Sequence, residues 1–185
     1  MPKPPPSEAA ATALPEAEQL YASLLAKVRA GIAAGPGARR EIVGIHSGGV
    51  WVAERLHHDL GLPGRIGTLD ISFYRDDFGK IGLHPQVKPS DIPFEIDGAS
   101  LLLVDDILYT GRTIRGALNV LFDYGRPARV DLAVLIDRGG RELPVEPRWA
   151  GASLPLPAGR EYVLTRSGSA ARTRFALAVE NSPPR

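Results

Sequence analysis

Residues 101–113 read Leu-Leu-Leu-Val-Asp-Asp-Ile-Leu-Tyr-Thr-Gly-Arg-Thr, and the rest of the chain is organised around them. Leu101 to Val104 form a short continuous apolar run, the pattern of a strand buried on both faces of a parallel sheet. Asp105 and Asp106 end it. Two carboxylates cannot sit unpaired in such a core, so they belong at the carboxyl end of the strand, where open α/β sheets bind ligands. Thr110-Gly111-Arg112-Thr113 follows, and Ile114, Ala117, Leu118, Leu121 and Phe122 then recur at helical spacing up to Gly125. A strand therefore feeds a tight glycine turn that opens a helix. Such a turn aims backbone N–H groups, two threonine hydroxyls and the positive end of a helix dipole at one spot, a ready place for a phosphate. Carboxylates repel phosphate, so the acid pair faces sugar hydroxyls or a hydrated magnesium ion. Together the two halves suit a ribose 5-phosphate.

The composition narrows the setting. A chain of 185 residues fits one domain with a sizeable core. Lys plus Arg number 22 against 21 Asp plus Glu, so no global field draws the protein to nucleic acid or membrane, and RNA binding would need a local basic patch. Cysteine is absent, which removes disulfides and thiolate metal sites and fits a reducing cytoplasm. No apolar run is long enough to span a bilayer, and Met1 to Ala13 lack the apolar core of a signal peptide. A cytoplasmic protein is expected.

Residues 1–13, rich in Pro and Ala, read as a disordered tail, as do 181–185, with a single domain between them. Pro15 with Glu16 and Glu18 marks a helix start, and Leu20, Leu24, Val28 and Ile32 its apolar face, with a stop near Gly35-Pro36-Gly37. Glu41 to Ile45 predicts a strand, and Trp51, Val52 and Leu56 a helix after the turn His46-Ser47-Gly48-Gly49. Leu69, Ile71 and Phe73 alternate with Thr68, Asp70 and Ser72, as in a half-buried strand. Arg75-Asp76-Asp77 and a polar stretch from Phe78 to Ser90 follow, long enough to predict a lid. Val130 to Ile136 is another buried strand, and Asp137-Arg138-Gly139-Gly140-Arg141 leaves its carboxyl end. Tyr162 to Leu164 and Phe175 to Val179 predict a β-hairpin around Ser167-Gly168-Ser169. There is no internal repeat and no cluster of His and acids at metal-ligand spacing.

The stretch from Val104 to Thr113 resembles the phosphoribosyl pyrophosphate (PRPP) motif of type I phosphoribosyltransferases, and its Ile-Leu-Tyr-Thr-Gly-Arg-Thr wording is similar to that of the PyrR family. Those are bacterial uracil phosphoribosyltransferases that in some lineages also bind pyrimidine-operon mRNA. Ile42–Leu56, Asp70–Phe78 and Ala133–Pro144 agree in order and spacing.

The resemblance implies an α/β fold, a mostly parallel sheet flanked by helices with a small β hood, mainly over 145–180. It implies conversion of uracil and PRPP to UMP and pyrophosphate with Mg2+, no metal being ligated directly by the protein, and a UMP-responsive role in pyrimidine-operon expression. Asp105 and Asp106 would hold the ribose hydroxyls; Ile107, Leu108, Tyr109, Thr110, Gly111, Arg112 and Thr113 would complete the PRPP site. His46, Ser47, Gly48 and Gly49 would form the pyrophosphate loop, with Arg75 over it. Lys88 could add charge when the lid closes. Asp137, Arg138, Gly139 and Val163 would serve the base, and a homo-oligomer, dimer or larger, is expected.

Two departures from the family pattern bear on function. The better-known pyrophosphate loop, Lys-Thr-Arg-Gly, carries two basic side chains where His46 and Gly48 stand here, so fixed charge for a departing polyanion has to come from elsewhere. The first helix offers mainly Lys27 and Arg29. Gly140 replaces a histidine and Ala152 a lysine that are associated with RNA contact in some members, which weakens the reading of a leader-RNA partner. Two alternatives stay open: a nucleotide-sensing RNA-binding regulator with little or no catalysis, and a phosphoribosyltransferase for another base such as a purine or orotate.

Overall fold

A computed structural model describes residues 14–33, 40–71, 89–168 and 173–182. In chain order the elements are α1 (Ala17–Ala33), β1 (Arg40–Ile45), α2 (Gly48–Leu60), β2 (Gly67–Leu69), β3 (Ser100–Leu108), α3 (Arg112–Tyr124), β4 (Arg129–Asp137), β5 (Trp149–Ser153), β6 (Arg160–Ser167) and β7 (Arg174–Asn181). Five strands make a parallel sheet in the order β2-β1-β3-β4-β5, and β6 and β7 pair antiparallel as a separate hairpin.

The central position of β3 follows from its residues. Leu102 and Val104 enter one core with α1 and α2, while Leu101, Leu103 and Leu108 enter a second one beneath α3. All four residues of the Leu101–Val104 run are at most 1% exposed, so a strand with side chains on alternate faces satisfies two layers of helices at once. On α3, Ile114, Ala117 and Leu121 supply the buried stripe, and Phe122 is left exposed.

Strand β5 is the piece that the resemblance grouped with the hood. Its pairing Ala133↔Trp149 to Asp137↔Ser153 places it in the parallel sheet, and the hood proper is the β6–β7 hairpin. Helix α1 lies over this edge: Lys27 Nζ donates to Ala150 O at 2.7 Å and Ser23 Oγ to Gly151 O at 2.8 Å, blunting carbonyls that another strand could otherwise pair with.

Two ionic clusters tie the layers together. Asp131, 6% exposed, accepts from Arg40 at 2.6 Å, Arg129 at 2.9 Å and Arg148 at 3.4 Å. Arg55 forks onto both oxygens of Glu18 at 2.8 Å while its guanidinium lies over the Tyr21 ring, 3.9 Å from the centroid. Glu18 also accepts the Phe175 backbone N–H, so this cluster joins α1, α2 and the hood. No helix among the described residues is long and apolar enough to cross a membrane.

Candidate active site

The carboxyl ends of β1, β3 and β4 open on one crevice. Asp105 and Asp106 fall in the last turn of the pleat before Leu108, with Asp105 opposite Val134 of β4. Asp105 is 5% exposed, and its Oδ1 accepts the Asp106 backbone N–H at 3.0 Å. Asp106 is half-buried at the rim. The strand thus continues past the acid pair, which faces the crevice from inside the sheet edge.

Beside them runs the turn from β1 into α2. Its His46 N–H donates to Leu69 O at 2.9 Å, the His46–Ser47 peptide is cis, and Ser47 stands at the N-cap of α2. A Cβ built on Gly48 would lie 3.0 Å from Asp106 Cβ and closer still to its carboxylate; one built on Gly49 would fall 2.5 Å from Val104 O. Real Cβ atoms do not approach so closely, so glycine here lets one backbone lie directly on the other. Gly48 and Gly49 are thereby brought to the acid pair, with His46 and Ser47 preceding them in the same turn.

On the other side Gly111 caps α3, and the N–H groups of Arg112, Thr113 and Ile114 begin the helix, where no intrahelical acceptor reaches them. Thr110 Oγ1 accepts the Arg112 N–H at 3.3 Å. The Arg112 side chain turns outward to Glu142, Nε to Oε2 at 2.8 Å, so the backbone and the Thr113 hydroxyl are what this turn offers an anion.

The loop after β4 clasps the turn between β3 and α3. Arg138 N–H donates to Leu108 O, and the N–H groups of Glu142 and Leu143 both donate to Thr110 O. Arg141 sends Nη1 to Tyr109 O at 2.8 Å, Nε to Val145 O at 2.8 Å and Nη2 to Asp137 Oδ1 at 2.7 Å, and Asp137 Oδ1 also accepts the Gly139 N–H. Arg141 and Glu142 are residues the sequence reading passed over as site-builders. Residues 138–141 form an irregular loop, so no helical or strand periodicity marked them in the sequence.

Arg138 is 7% exposed, with its guanidinium 3.9 Å from the Tyr109 ring centroid. Burial raises the Tyr162 phenol's pKa against the opposing pull of the Arg138 charge, and the Tyr162 hydroxyl donates to Leu154 O at 3.3 Å. Val163 is half-buried on the opposite face of the hairpin from Tyr162 and Leu164. Ile107 and Leu108 end β3, Leu108 buried in the α3-side core and Ile107 packed against the other. Arg75, Lys88 and the stretch expected to form a lid lie outside the described residues, apart from Pro89 and Ser90. Among the described residues no group of three or more His and acidic side chains is placed to hold a metal ion.

A parallel sheet with an acid pair at the mouth of its middle strand, a glycine loop against it and a helix-capping turn beyond it defines a type I phosphoribosyltransferase. Residues 9–153 match the family model of the phosphoribosyl transferase domain. Solved structures agree in fold: a hypoxanthine-guanine phosphoribosyltransferase from Bacillus anthracis superposes with a TM-score of 0.62 at 20% identity over 77% of this chain and 83% of its own. A hypoxanthine phosphoribosyltransferase from Trypanosoma cruzi gives 0.59 at 23% over 83% of each. Among curated relatives, proteins named Bifunctional protein PyrR are 48% identical in Ralstonia nicotianae, over 89% of this chain and 94% of that one, and 59% identical in Pseudomonas entomophila, over 69% and 77%. The chain belongs to the PyrR family of phosphoribosyltransferases.

Proposed function

We propose that this protein is a uracil phosphoribosyltransferase, joining uracil to PRPP to give UMP and pyrophosphate, and that the same pocket lets UMP report on pyrimidine supply to operon expression. The observation that carries the reading is the contact between Gly48 and Asp106, which puts the loop suited to a diphosphate and the acids suited to ribose hydroxyls in one site. Sequence identity to the PyrR relatives supports the pyrimidine over a purine.

In the reaction the anomeric C–O bond to diphosphate breaks, a C–N bond to the base forms, and the base nitrogen gives its proton to solvent. Bond breaking leads, so the ribosyl group passes through a cationic state and catalysis is mostly positioning and charge placement. Asp105 and Asp106 would accept hydrogen bonds from the ribose hydroxyls and place negative charge near the cationic sugar. The backbone of Thr110 to Thr113 would hold the 5-phosphate, Ser47 to Gly49 the diphosphate, and Arg138 the base. A rim carboxylate at Asp106 and an oxygen-rich substrate fit hydrated magnesium, which would supply charge neutralisation for the diphosphate when bound. The same reading takes a cytoplasmic homo-oligomer, dimer or larger, as the working form.

The absence of fixed cations at His46 and Gly48 favours a second reading, a nucleotide-sensing regulator with little turnover. Incubation with PRPP, magnesium and each free base in turn tests both: UMP formed from uracil alone is the expected result. No nucleotide from any base, with salt-sensitive binding to the operon leader RNA, would favour the regulator.

A further inference from the structure

The Tyr109 ring meets two parts of the loop after β4. The Arg138 guanidinium lies over it, 3.9 Å from the ring centroid. Gly140, with φ of 70°, lies against its edge atoms, where a built Cβ would be 3.0 Å from Tyr109 Cδ2 and closer still to Cε2. The ring's own backbone carbonyl is held by Arg141. Tyr109 is thus fixed at both ends by the base-side loop although it belongs to the phosphate turn.

Arg138 carries a second signal. Its Nε is buried and has no hydrogen-bond partner among the described residues. A buried donor left without an acceptor is costly, and such a group in a crevice points to an acceptor that arrives with a ligand. A guanidinium stacked on an aromatic ring keeps its N–H groups in the plane parallel to the ring, so the ring decides where they aim.

We propose that Tyr109 is a positioning residue for the base: its ring, given room by Gly140, holds Arg138 so that the buried Nε–H meets a carbonyl oxygen of the pyrimidine. This rests on the phosphoribosyl reading above and adds a role for Tyr109 distinct from phosphate binding. The ring touches no reacting atom in this account; it acts through Arg138.

Calorimetry on the full chain with UMP and with ribose 5-phosphate tests it. The unaltered protein should bind UMP more tightly than ribose 5-phosphate. Tyr109→Leu should lose about tenfold more in UMP affinity than in ribose 5-phosphate affinity, a difference of the size that a cation–π contact supports. Tyr109→Phe, which keeps the ring, should retain the preference for UMP over ribose 5-phosphate that Tyr109→Leu loses. Gly140→Ala, whose added Cβ would displace the ring, should resemble Tyr109→Leu and serves alone if the leucine variant does not fold. Equal UMP affinity in Tyr109→Leu or Gly140→Ala and the unaltered protein would overturn the inference and leave the phosphoribosyl reading standing, as would an equal loss for both ligands. Failure of the unaltered protein to bind either ligand would remove the phosphoribosyl reading and this inference with it.

Discussion

The backbone of Gly48 lies against the side chain of Asp106 so closely that a Cβ at residue 48 would force that carboxylate to shift. The loop and the acid pair are therefore one packed unit. Restoring a basic side chain of the better-known loop by Gly48→Arg should lower turnover rather than raise it, because Asp106 must move first. A displacement of about 1 Å in such a site costs about 10²-fold. Steady-state rates with PRPP and uracil, beside a melting curve showing the fold intact, check this; a gain in turnover would contradict it.

The acid pair itself should matter through charge and hydrogen bonding rather than packing. Asp105→Asn with Asp106→Asn keeps shape and should reduce turnover by about 10²–10³-fold, the range for losing preorganised electrostatic groups. Near-normal activity in the double variant would remove the ribose role.

Far from the site, Asp131 is buried among Arg40, Arg129 and Arg148. Asp131→Asn leaves Arg40, itself 8% exposed as a side chain, without its counter-charge. Breaking a buried pair from one side costs about 3–5 kcal/mol, so the melting temperature should drop by roughly 6 °C or more. Activity at low temperature should persist. A melting point unchanged within a degree would refute the role given to this cluster.

The hood is fastened through Glu18. The Arg55 hydrogen bond, opposed by burial and aided by the Phe175 N–H, lowers the Glu18 pKa below the ordinary glutamate value. A depressed folded-state pKa gives stability that is present above the unfolded value and is lost as pH falls through the folded one. Stability should therefore decline below about pH 4.3. In Glu18→Gln that part of the decline should be absent, with lower stability at neutral pH. Asp59 contributes with the same sign: burial alone would raise it, but hydrogen bonds from His58 and Tyr21 with the charge of Arg55 lower it. Chemical denaturation across pH, comparing the unaltered chain with Glu18→Gln, measures this; identical acid-side slopes would rule it out.

Local pattern was enough to read the buried run Leu101–Val104, α3 and the glycine turn that opens it, but the expected strand end at the acids was too early: β3 runs through Asp105 and Asp106 to Leu108, an extension that pairing with β4 supplies. Pattern was likewise enough for β1 and β4, whose continuous apolar runs are buried, and for β7, where burial alternates along the strand. Strand β5 escaped, since Trp149 to Ser153 is short, carries small residues and becomes a strand only by pairing with β4. The contact of Gly48 with Asp106, the placement of Arg138 over Tyr109 and the clasp by Arg141 join residues 29 to 58 positions apart. Which side chain faces which across such distances is set by strand order and register, and those exist only once the sheet has assembled.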